Sequence, residues 1–172
     1  MRGGSPLGDW EEAYAHAKRA HEGRTSFDVL DSFYLHHEVE ALLRGGDERL
    51  AREEVRRFAE RAQTIERERV AYLRSLAVLS ESEGDTKRAM DHLHEAHSLA
   101  RKIGLPKELW QIQSRLGELH ERRGEAGEAR EAFSLAAQTL RELARKIGDE
   151  ELREGFLSAP QVRRVLGRIG RT

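Results

Sequence analysis

The chain has 172 residues, 38% hydrophobic and 35% charged, with 30 basic against 31 acidic side chains and a formal net charge of -1. That is enough apolar material for a helical core and too much for a disordered tail, while the balanced charge excludes a global field drawing it to nucleic acid or a membrane. The chain has no cysteine, which excludes a disulfide framework and thiolate-ligated zinc and fits a reducing, cytoplasmic setting, and no apolar run approaches the roughly 18 residues of a membrane span.

In chain order, residues 1–7 read as a flexible leader. Gly8-Asp9 then opens a pattern: Ala13, Ala17 and Ala20 stand at fixed offsets from Gly8 that recur after later glycines. Residues 8–26 form half a repeat, the second helix of a hairpin. A chain opening on a half repeat is expected to be a fragment of a larger protein. After the polar break at 24–26, a helix is predicted over 27–44, with Leu35, Val39, Leu42 and Leu43 at spacings of three and four. Gly45-Gly46-Asp47 closes it. Its partner helix carries Ala51, Val55, Phe58, Ala59 and Ala62, and together they make the first full repeat, 27–69.

The second repeat, 70–105, carries Leu73, Leu76 and Ala77 before Gly84 and Ala89, Leu93 and Ala96 after it. The third, 106–148, carries Leu116, Gly117 and Leu119 before Gly124 and Ala129, Phe133 and Ala136 after it. The glycines at 8, 46, 84 and 124 lie 38, 38 and 40 residues apart. Each precedes Asp9, Asp47, Asp85 or Glu125, so the four dipeptides are expected at inter-helix turns: the glycine takes the left-handed conformation that ends a helix, and the acid caps the next. The run Leu99 to Gly104 (LARKIG) returns from Leu143 to Gly148, shifted by 44 residues, as if one helical turn had been inserted. Residues 149–172 are read as a capping helix with a basic tail: Asp149-Glu150-Glu151 starts it, Pro160 interrupts it, and Val162, Val165, Leu166 and Ile169 are spaced among Arg163, Arg164, Arg168 and Arg171.

Hairpins with one apolar stripe each must stack to bury it. The expected fold is therefore all-α, a row of antiparallel helical hairpins.

Catalytic and metal chemistry find little support in the residues. His92, His94 and His97 with Asp91 and Glu95 are the densest cluster, yet only His94 and His97 share a helical face, and no His-Glu pair is followed by the second histidine of a helical zinc motif. Glu53-Glu54 are sequence neighbours that diverge on a helix and read as surface charge. There is no phosphate-binding glycine loop and no triad signature. No enzyme activity, metal or cofactor is expected.

The Leu116-Gly117 pair with Ala129, Phe133 and Ala136 resembles the tetratricopeptide repeat family, with His120 and Gln113 standing where its pattern carries tyrosine and tryptophan. The period exceeds the usual one of about 34. Long repeats of this kind, with LARKIG closing the second helix, resemble those at the C-terminal ends of large bacterial signalling proteins, among them nucleotide-binding transcription regulators and cyclase-linked ATPases. The resemblance implies a right-handed superhelix, an α-solenoid, whose first helices line a concave surface. Transferred to this chain it selects Phe33, His36, His37 and Glu40, then Arg74 and Val78, then Gln111, Ser114, Arg115 and Glu118 as partner-binding residues. It implies a non-catalytic scaffold holding a protein or peptide partner, or alternatively a ligand-sensing module that regulates attached domains. Self-association through the repeat ends is a further implied contact, and a nucleic-acid partner is disfavoured.

Overall fold

The computed structural model describes residues 6–24 and 31–169, with side chains from 10–24 and 34–169. Among the described residues every regular element is a helix: α1 (Pro6–Gly23), α2 (Asp31–Arg44), α3 (Glu48–Thr64), α4 (Glu66–Ser82), α5 (Thr86–Ile103), α6 (Pro106–Arg122), α7 (Ala126–Arg145), α8 (Glu150–Ser158) and α9 (Pro160–Ile169). They pack mainly on sequential neighbours as antiparallel hairpins. Contacts divide the chain into two compact units, Met1–Ala96 and His97–Thr172.

In the first unit α2 packs on α1, α3 and α4, and α3 on α4. The core is built from Leu35, Val39 and Leu42 of α2, Val55 and Phe58 of α3, and Ala71 and Leu79 of α4, with Ala17 from α1. Phe58, at a position held by alanine in the other repeats, is the largest fully buried side chain among the described residues. Helix α3 is apolar on one side, but α4 buries Val70, Ala71, Leu73, Ser75, Ala77, Leu79 and Ser80. Those positions go most of the way round a helix, so α4 runs through the interior of its unit. Ser75 tolerates this because its hydroxyl donates to the carbonyl of Ala71 at 2.9 Å.

In the second unit α6 and α7 form a hairpin, α9 lies along α7, and α8 bridges them. Val162 and Val165 of α9 are buried with Trp110, Ala136 and Leu140. Pro160 does not merely interrupt a helix; it starts α9, where its fixed φ suits a first turn. A Cβ on Gly117 would lie 2.8 Å from the Phe133 ring, which ties the Leu-Gly pair of the first helix to the aromatic of the second.

Gly46, Gly84 and Gly124 hold φ of 83, 80 and 77 degrees, the left-handed turns expected of them. Gly8 does not behave this way. Because α1 already begins at Pro6, Gly8 and Asp9 lie in its first turn, not between helices. The leader expectation otherwise falls on 1–5, and the start of the helix predicted from residue 27 falls on 25–30; both stretches lie outside the described residues. The acidic partners also divide. Asp85 accepts from the backbone of Arg88 at 2.9 Å and Asp149 from that of Leu152 at 2.8 Å. Asp47 and Glu125 make no side-chain cap: Asp47 accepts from the Tyr14 hydroxyl, and Glu125 pairs with His120 at 2.7 Å and Arg123 at 2.8 Å. A nearby donor competes successfully with the helix end. The LARKIG echo also diverges, since Gly104 ends α5 at φ 75 degrees while α7 ends at Arg145, three residues before Gly148. Only part of the insertion lengthens the helix.

Candidate functional site

Between its buried rows α4 keeps two partly exposed stripes, one of Arg69, Tyr72 and Leu76 and one that is joined to α2. Arg67, Arg74, Val78 and Glu81 follow one another at spacings of seven, four and three and are exposed or half-buried, so they form the second stripe. Helix α2 packs beside α4 and contributes His36, His37 and Glu40. The two helices are joined: an Arg74 Nη2 donates to His36 Nε2 at 2.8 Å. An arginine side chain only donates, so His36 accepts, which makes it a neutral ring with its proton on Nδ1. His36 is 7% exposed and its ring centroid lies 3.9 Å from that of His37, which is exposed. Glu40 is held by Arg44 one turn on, at 3.0 Å. Tyr34, 58% exposed and one turn before His37, adds an aromatic that the selection by resemblance passed over.

The structure thus joins His36, His37 and Arg74 within the first unit, with Glu40 and Val78 one turn further along α2 and α4. Phe33 belongs to α2, but its side chain lies outside the described residues. In the second unit Gln111, Ser114, Arg115 and Glu118 are half-buried on α6, and Arg115 donates to Glu118 at 2.8 Å. Gln113, in the tryptophan place, is buried and links His97 at 3.3 Å with Thr139 at 3.2 Å. It serves the packing of its unit rather than a partner.

One charged centre contradicts the reading of Glu53-Glu54 as surface charge. Glu53 does reach solvent and pairs with Arg49. Glu54 turns inward and is 1% exposed, accepting from His21 Nδ1 at 2.6 Å, from Arg57 at 2.9 Å and from Arg24. Arg24 reaches on to Glu38 at 2.9 Å, while Arg57 also donates to the Arg24 carbonyl at 2.7 Å. A buried carboxylate is tolerable when its lone pairs are filled this way. With both oxygens engaged, Glu54 holds His21 of α1 and Arg24 to α3, and Arg24 carries the link on to Glu38 of α2. Glu68, also buried, is held by Arg61 in two hydrogen bonds, one of 2.6 Å.

The histidines of α5 do not converge, and among the described residues no group of three or more His, Asp or Glu side chains is placed to hold a metal ion. Burial, and then the charge of Arg88, lower the pKa of His92 below the usual histidine range. The hydrogen bond from His120 holds Glu125 below the usual carboxylate range, and the bond to Asp47 raises the Tyr14 phenol. Each shift has a structural partner or cause. Comparison with family models, with curated proteins and with solved structures finds no match for this chain.

Proposed function

We propose that the chain is a non-catalytic interaction module of tetratricopeptide-type hairpins, part of a larger regulatory protein, holding a peptide or protein partner on its first-helix face. The observation that carries this reading is the bond between His36 and Arg74. The two residues are 38 apart, the spacing of Gly46 and Gly84, so they occupy equivalent positions in successive first helices. Equivalent positions in contact mean that α2 and α4 offer one continuous face, on which a single partner touches both helices. The chemistry of that face is mixed. Arg74 supplies a guanidinium whose orientation His36 fixes, which reduces the ordering cost of gripping an acidic group; Val78, Tyr34 and His37 supply apolar and aromatic surface. Among the described residues no helix is long and apolar enough to cross a membrane.

The test is affinity capture from native cell extract with the wild-type chain, Arg74→Glu and His94→Ala. Arg74→Glu should keep its circular dichroism and lose the captured partner, and His94→Ala should keep both. Capture that survives Arg74→Glu and fails with His94→Ala would transfer the function to α5.

A further inference from the structure

In the second unit, the end of α6, the first turns of α7 and the end of α9 line a half-open cavity of about 260 Å³. Its apolar side is the Phe133 ring with Ala129, both buried, and its polar side is Glu121, Arg130, Ser134 and Arg168. The volume falls just under the about 300–1,000 Å³ of drug-sized pockets, so it suits one small group rather than a length of chain.

The charges are asymmetric. Glu121 engages Arg168 through Nη1 alone, leaving the Nη2 and Nε edge of that guanidinium without an acceptor among the described residues. Arg168 is also steered over the Phe133 ring, 5.2 Å from its centroid. Arg130 has no hydrogen bond or ion pair among the described residues. Two guanidiniums therefore face the cavity against one carboxylate, and the exposed Glu121 pair is of the kind that contributes little and yields readily. Glu125, diverted to His120 and Arg123, makes no side-chain cap on α7, whose first turn reaches the cavity through Ala126; the acid of that turn, Glu128, does not line it.

From this geometry we infer a second binding site, for a carboxylate carried on a small apolar group: the carboxylate lies between Arg130 and the open edge of Arg168, with the apolar group against Phe133 and Ala129. A peptide C-terminus ending in an aliphatic residue and a free branched-chain acid share this chemistry.

The experiment titrates the ¹⁵N-labelled full chain with three probes: acetyl-Ala-Leu with a free C-terminus, the same dipeptide as its C-terminal amide, and 4-methylpentanoate. Both acids should shift the amides from Ala126 to Ser134, and the amide should not. Tighter binding of the dipeptide acid assigns the site to chain termini, and equal or tighter binding of 4-methylpentanoate assigns it to free acids. Arg130→Gln, which removes no hydrogen bond or ion pair among the described residues, should weaken the acids by about tenfold or more while leaving the circular dichroism unchanged. The inference is overturned if the amide binds as well as the acid, if Arg130→Gln binds as well as wild type, or if no resonance shifts at about 10 mM ligand.

Discussion

Replacing Gly117 with alanine sets two effects of opposite sign against each other. In a helix interior, glycine to alanine stabilises by roughly 0.5–1 kcal/mol through backbone entropy. Here the new methyl would lie 2.8–2.9 Å from three atoms of the Phe133 ring, closer than carbon atoms pack. Phe133 is 5% exposed and can give only by moving toward the α7 cavity that it lines under Arg168, and overpacking of this kind costs about 1–3 kcal/mol. The clash should win, leaving a net loss of about 1 kcal/mol, or about 2–4 °C in thermal midpoint for a chain of this size. Gly155→Ala is the control, because it sits in α8 with nothing within 4 Å and should gain up to about 1 kcal/mol. Phe133→Leu should relieve the clash, so the double variant should be more stable than the two single losses added together. If Gly117→Ala raises the midpoint as Gly155→Ala does, the account of the Leu-Gly and Phe pair is wrong.

Gly84→Ala and Gly124→Ala, at φ of 80 and 77 degrees, should each lose about 1 kcal/mol or more in urea melts. Glu54→Ala should be far worse, about 3–5 kcal/mol, because it strands the cations gathered around a buried carboxylate; hydrogen exchange should show α1 opening first. His92 gives a pH dependence. Its folded pKa lies below its unfolded value, near 6.5, so the unfolded state binds more protons and His92 costs stability as pH falls below about 6.5. His92→Gln should flatten that part of the stability profile between about pH 7 and 5, measured by thermal melts.

The parts of the fold legible in the sequence are those fixed by local rules. Gly46, Gly84 and Gly124 show themselves because a left-handed residue at a helix end leaves a glycine in the sequence. Ala89, Leu93 and Ala96, with Ala129, Phe133 and Ala136, show themselves because a stacked helix must bury one stripe. Gly8 misleads because the same dipeptide can sit inside a first turn when Pro6 starts the helix earlier. Glu54 misleads for a different reason: its neighbours on the helix say surface, and only His21 and Arg24, about thirty residues away, bring it in. Asp47 and Glu125 fail as caps through Tyr14 and His120, donors that a reading confined to the helix end omits. Of the candidate site, the repeat spacing placed Arg74 and His36 in equivalent positions, but their bond and the neutral state of His36 require the packed helices. The α7 cavity has no sequence signal, since its arginines come from separate helices.

Site-specific photocrosslinking tests most directly whether the α2 and α4 face holds the partner. A photoreactive side chain at Val78, half-buried between Arg74 and Glu81 on that stripe, is compared with the same group at His94 and at exposed Leu135. In native extract the account predicts a discrete adduct from position 78 that disappears when Arg74→Glu is added, with none from 94 or 135. Adducts from 94 or 135 that persist with Arg74→Glu, and none from 78, would contradict it.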